Sequence, residues 1–120
     1  MLEKVVGPTT TDWKHYIYAG AEPVAMYVRK SNGDKQRYFF ARDHLGSVAA
    51  VTHSDGAITL TESFEAFGAR RGVNWTGAPT PAELTSMNDK TRKGFTMHEH
   101  LDSTGFIHMN GRVYDPLIGR

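Results

Sequence analysis

Short turns rich in Asn, Asp and Gly recur along this chain, and they restrict it to a succession of hairpins. The pieces between them are dense in aromatic and β-branched residues with little helical periodicity, which is the signature of a mainly β, antiparallel fold. Ser31-Asn32-Gly33-Asp34 separates residues 24–30 from 35–42, and an Asn-Gly pair between apolar runs is a strong local signal for a two-residue hairpin. That loop predicts Met26 opposite Phe39 and Tyr27 opposite Tyr38, hence apolar pairs on both faces and a sheet covered on each side. Ser54-Asp55-Gly56 predicts a second hairpin with Val51 opposite Leu60 and Thr52 opposite Thr59. A third joins residues 94–101 to 106–114 through Asp102-Ser103-Thr104-Gly105 and sets Glu99 opposite His108.

Between the second and third hairpins the pattern breaks. Residues 69–93 read as loop with one exception: Thr80-Pro81-Ala82-Glu83 is an N-cap, a proline at the first helical position and an acid at the third. This predicts one short helix over 81–87, from Pro81 to about Met87. Residues 1–14 carry no clear element and read as a lead-in, with Trp13 as the first anchor, ahead of a single domain over 15–120. A weak internal echo links Phe64-Glu65-Ala66-Phe67-Gly68-Ala69-Arg70 to Tyr114-Asp115-Pro116-Leu117-Ile118-Gly119-Arg120, each an aromatic, an acid, then Gly and Arg.

Composition narrows the function classes. The 14 Lys and Arg against 13 Asp and Glu give a net charge of +1, which argues against nucleic acid or an anionic membrane as partner. With no cysteine, disulfides, thiolate metal sites and cysteine nucleophiles are excluded. The first residues lack the apolar run of a signal peptide or membrane span.

Four ordered blocks carry a family resemblance. Tyr38-Phe39-Phe40-Ala41-Arg42-Asp43-His44-Leu45-Gly46-Ser47-Val48, Ser63-Phe64-Glu65-Ala66-Phe67-Gly68, Gly94-Phe95-Thr96-Met97-His98-Glu99-His100-Leu101-Asp102, and Gly105-Phe106-Ile107-His108-Met109-Asn110-Gly111-Arg112-Val113-Tyr114-Asp115-Pro116 with Gly119-Arg120 resemble the RHS/YD-repeat core. Lys14-His15-Tyr16-Ile17-Tyr18-Ala19-Gly20 is similar, more weakly, to an upstream repeat strand of that family. The resemblance implies a β ribbon wound into a hollow shell around a C-terminal toxin, exported for bacterial competition and released by self-cleavage. Its partners would be the rest of the shell or further copies through sheet edges, with an enclosed toxin, no nucleic acid, no cofactor and no membrane span. The family's cleavage aspartates fall beyond Arg120, so the expectation is a structural segment or fragment without enzyme activity. Asp115-Pro116 belongs to the preceding block. Two departures stand out: Met97 where the family has Gly, which implies strain if the backbone there has positive φ, and Glu65 where it has Asp.

Side chains with catalytic or metal chemistry have plainer alternatives. His98 and His100 share one strand face, with Glu99 and Asp102 nearby, but the expected register puts Glu99 and His108 on the other face, so a metal site needs a slip of register. Asp43, His44 and Ser47 offer an acid, an imidazole and a hydroxyl; the alternative is an Asx-type turn with Gly46 at positive φ and Leu45 as anchor. An HNH-like nuclease built on His98, His108 and Asn110 is the competing enzyme reading, without the helix that should carry the last ligand. The aromatic residues read as cross-strand packing rather than a stacking platform, and the basic clusters Arg70-Arg71 and 90–93 as solvated loop.

Overall fold

The computed structural model describes residues 2–101 and 104–120. Six strands follow in chain order within one sheet: β1 (Leu2–Val6), β2 (Thr11–Ala19), β3 (Glu22–Lys30), β4 (Lys35–Arg42), β5 (Val48–His53) and β6 (Ile58–Thr61). Among the described residues one α-helix, α1 (Pro81–Lys90), precedes a 3₁₀ turn over Phe95–Met97 and a small sheet of β7 (Glu99–His100), β8 (Ile107–His108) and β9 (Val113–Tyr114). The fold is mainly β and built of antiparallel hairpins with one short helix, as the turn pattern predicts. No described helix is long and apolar enough to cross a membrane. By contact the chain divides into two compact units, residues 1–41 with 51–59 and residues 42–50 with 60–120.

In the first unit, strand alternation sorts side chains cleanly. Lys14, Tyr16, Met26, Val28 and Tyr38 are buried on one face, and the registers set Lys14 opposite Val28 and Met26 between Tyr16 and Tyr38. Tyr16 stacks on Phe40 at 6.0 Å between centroids, and its hydroxyl donates to Glu3 Oε2 at 3.2 Å. Within residues 1–14, to which the sequence pattern assigns no element, lie β1 and the start of β2, paired from Leu2 with His15 to Val6 with Thr11. Trp13 is an anchor of a different kind, with the Arg29 guanidinium 5.5 Å from its ring centre.

The first expected register is one residue off. Met26 meets Tyr38 and Tyr27 meets Arg37, because the loop has three residues rather than two. Gly33 donates to the Lys30 carbonyl and Lys30 N–H to the Asp34 carbonyl, so Gly33 alone takes positive φ (96°) at the end of a tight turn. In this register Met26 and Tyr38 pair on the buried face, while the other face, with Ala25 opposite Phe39 and Tyr27 opposite Arg37, leaves Phe39 48% exposed, so the sheet is not covered on both sides.

The same hydrogen-bond pattern recurs at Asp43/Gly46/Ser47, His53/Gly56/Ala57 and Glu65/Gly68/Ala69. In each, the fourth residue is a glycine with positive φ, a conformation that carries no Cβ clash only for glycine. The second hairpin therefore also departs from its expected two-residue loop, since His53 bonds to Ala57.

In the second unit, Thr80 caps α1 as expected. Its Oγ1 accepts the Glu83 N–H at 3.2 Å while Glu83 Oε2 accepts the Thr80 N–H at 2.6 Å. The helix runs three residues past Met87, to Lys90. Glu99 pairs with His108 and His100 with Ile107, the register expected for the third hairpin, whose loop residues Asp102 and Ser103 lie outside the described residues. Residues 106–114 are not one strand, however. They fold back at Asn110-Gly111, both at positive φ (44° and 99°), with Met109 and Arg112 exchanging backbone hydrogen bonds. This is the two-residue Asn-Gly turn that the sequence reading places at 32–33.

Candidate functional site

The motif residues are turn makers. Asp43 Oδ1 accepts the N–H groups of Leu45 and Ser47 at 2.9 and 3.0 Å, and Gly46 has φ 80°, an Asx turn of the expected kind. Leu45 is not an anchor: it is 53% exposed, because the turn points it away from the packed side. Ser47 is fully buried and its Oγ accepts the Thr96 N–H at 2.7 Å, which ties this turn to the 3₁₀ segment. That hydroxyl thus serves a backbone donor, and His44 is exposed.

The two echoing loops are alike in structure and touch. Phe64 and Arg70 form a bridge around the Gly68 turn. Asp115 closes a loop one residue longer, with Gly119 at φ 72° and Arg120 bonding back to the Asp115 carbonyl. The Tyr114 hydroxyl donates to the Phe67 carbonyl at 2.7 Å, and Asp115 Oδ1 accepts the Leu117 N–H. Pro116 is buried beside them.

Gly68 and Gly94 are held glycine by packing. A Cβ on Gly68 would lie 2.6 Å from the Phe95 ring, and one on Gly94 2.6 Å from His100 Nε2. The ring of Phe64 stacks on His100 at 5.6 Å and tilts against Phe95 at 5.9 Å, so three rings close over the two glycines. His100 Nε2 accepts the Phe95 N–H at 3.1 Å. Burial, then the nearby Arg70 charge, push the His100 pKa down to about 3, so it is a neutral core imidazole with its acceptor nitrogen occupied.

The Met97 expectation is met by the backbone: φ is 64° at Met97 and 48° at Thr96. Gly94, Met97 and His98 repeat the turn pattern of the glycine loops, with Met97 in the glycine's place. His98 Nδ1 lies 2.7 Å from Thr96 Oγ1, and burial followed by the charges of Lys93 and His108 lowers its pKa. Among the described residues no three His, Asp or Glu side chains converge as a metal site. Asn110 sits in its tight turn, and Gly111 and Arg112 are exposed there.

Sequence reading missed the buried polar centre. Arg70 Nη2 lies 3.1 Å from Glu62 Oε1 and Arg70 Nη1 donates to Asn88 Oδ1 at 2.6 Å; the Glu62 and Arg70 side chains are 0% and 5% exposed. Burial outweighs the attraction of Arg70 and raises the Glu62 pKa to about 7. Alternation was the available signal, since Glu62 follows Leu60 by two positions and so shares its buried face. Arg70 and Asn88 line a cleft of about 530 Å³ together with Leu84 of α1, Phe106, Pro116 and Leu117.

No protein-family model matches this sequence, and no curated protein does. Solved structures do match in fold. The crystal structure of TcdB2-TccC3-TEV aligns with 99% of this chain at a TM-score of 0.71 and 20% identity, and that of TcdB2-TccC3-Cdc42 with 99% at 0.54 and 16%. The chain spans 6% and 7% of the length of those two chains. Its fold is that of a short stretch of a much longer polypeptide.

Proposed function

We propose that this chain is a structural segment of an RHS-type β shell, a wall around a C-terminal toxin used in bacterial competition and exported with it. The observation that carries the reading is coverage: nearly the whole chain superposes on a small part of a far longer one. The motif residues support it by their roles. Asp43, Gly46, Ser47, Gly68, Asn110, Gly111, Asp115 and Gly119 build turns, and Phe64, Phe95 and His100 pack a core. The partners in this reading are neighbouring parts of the shell, met through strands such as β1, which ends the strand order of its sheet. An unpaired edge strand templates further pairing. The segment is a wall without catalysis of its own.

Co-expression with the preceding repeats of an RHS-type shell protein tests the proposal. The segment is expected to co-elute with them as one large particle and to shield a following toxin from added protease. Purified alone, it is expected to self-associate in light scattering. A monodisperse monomer that ignores those repeats sinks the reading, as does C-terminal processing near neutral pH that Asp115→Ala abolishes.

A further inference from the structure

Charge on this chain is nearly balanced in total but not in space. The registers of β1 to β4 place Lys4, Trp13, Arg29 and Lys35 in one row across the sheet, and Leu2, His15, Tyr27 and Arg37 in the next. Ile17, Ala25 and Phe39 form a third row. All of these side chains project from one face, because residues directly opposite in an antiparallel pair share a face. Within these rows stand four cations and no Asp or Glu. Of the acids in the same strands, Glu3 and Asp12 occupy the opposite, buried face beside Lys14 and Val28, and Glu22 stands exposed at the start of β3, outside these rows.

This face is open. Leu2, Ile17 and Phe39 are about half exposed (56%, 49% and 48%), Lys4, Arg29, Lys35 and Arg37 are exposed, and Trp13, His15 and Tyr27 are partly so. Flat rings interleave with the cations: the Arg29 guanidinium lies over Trp13, and His15 sits 6.2 Å from Tyr27. A sheet face that alternates π surfaces with guanidinium and ammonium groups suits a polymer that alternates flat rings with anionic links. Bases stack on aromatic rings and on arginine planes while phosphates meet the cations. An acidic polypeptide would satisfy the charge and leave Trp13, Tyr27 and Phe39 without a counterpart.

We propose that the open face of β1–β4 binds single-stranded nucleic acid, through Lys4, Arg29, Lys35 and Arg37 on the phosphates and Phe39, Tyr27 and Trp13 against the bases. The whole-chain charge of +1 hides this surface because the acids that offset it lie elsewhere. The inference stands apart from the shell reading, and either can fail without the other.

Fluorescence anisotropy of the purified chain with a labelled oligothymidylate of roughly a dozen nucleotides is the test. Saturable binding is expected, with log affinity falling against log salt at a slope of about −3, the value for four neutralised phosphates on a single strand. The double variant Arg29→Gln, Arg37→Gln should reduce the magnitude of that slope by about 1.4 and weaken binding about tenfold or more. Phe39→Ala should weaken binding about fivefold with the slope unchanged; Phe39→Leu, which keeps the apolar bulk, should weaken it as much. Circular dichroism checks that each variant keeps the sheet. Three results overturn the proposal: no binding at low salt, equal competition by polyglutamate, or loss of binding on Lys90→Gln, Lys93→Gln but not on the Arg29 and Arg37 changes.

Discussion

The two units bury different chemistry. In the first, the buried face of the long strands carries Tyr16, Met26, Val28 and Tyr38, with Lys14 as its buried cation. In the second, Ser47, Glu62, Thr91 and His100 are buried beside Val48, Leu60, Met87 and Ile107. The backbone explains the contrast. Strands of eight or nine residues satisfy their own N–H and C=O groups by pairing, so their inner side chains need only fill space. Where the ladder is short, side chains must serve the backbone instead. Ser47 Oγ takes the Thr96 N–H, His100 Nε2 the Phe95 N–H, and Thr91 Oγ1 the Lys93 N–H. Buried polarity in the second unit is thus the counterpart of its irregular path.

That contrast can be broken most severely at the ion pair. Above about pH 8, Arg70→Ala should cost about 3 kcal/mol or more, because it leaves the buried Glu62 carboxylate unpaired or forces it to take up a proton, whereas the double change Glu62→Gln, Arg70→Met should cost much less; urea denaturation measures both. An equal loss for the two would show that the pair contributes more than mutual neutralisation.

Gly68→Ala comes next, at roughly 2 to 3 kcal/mol, since it adds a strained φ of 102° to a collision with Phe95. Gly33→Val in the first unit should cost only about 1 kcal/mol or more, for there the space around the Cβ is open and the backbone conformation is the whole penalty. Similar melting temperatures for these two variants would remove the distinction between packing and backbone terms.

Two buried groups of the second unit titrate in opposite directions. Glu62 has a folded pKa raised to about 7, so its stabilising contribution is complete below about 4.5 and is lost as pH rises through 7. For His100, lowered to about 3, the contribution is present above about 6.5 and lost as pH falls toward 3. Between about 4.5 and 6.5 the two slopes oppose. Glu62→Gln should therefore expose a stability that rises with pH across this window, by up to about 1.4 kcal/mol per pH unit, and His100→Gln one that falls. Denaturation midpoints that stay flat in both variants would refute these assignments.

The smallest expected effect is at the helix cap, where Thr80→Ala should lose about 1 kcal/mol with α1 otherwise intact. Thermal melts that coincide with wild type would mean that Glu83 holds the helix start alone.

Much of this was legible in the sequence, and the exceptions share a cause. The capping box at Thr80 and Glu83 and the pairing of Glu99 with His108 depend on residues close in sequence, and both were readable. Asn32-Gly33 and Asn110-Gly111 are the same dipeptide in different turns. At the first, Asn32 Oδ1 takes the Asp34 N–H, and Ser31 is held by Thr11 through its N–H and its Oγ. Contacts to a strand about twenty residues away thus select the longer loop and move every pairing by one. The Glu62, Arg70 and Asn88 centre joins three separate segments, so spacing could suggest that Glu62 is buried but not what it meets.

The glycine turns carry a wider implication. Where corners hold the alignment, the outward chemistry of each strand is free to be rewritten wholesale, provided the corner residues and the inward alternation persist. A ribbon of this kind can change its surface without relearning how to fold. Fold likeness at a TM-score of 0.71 with only 20% of residues shared is what such freedom would leave behind.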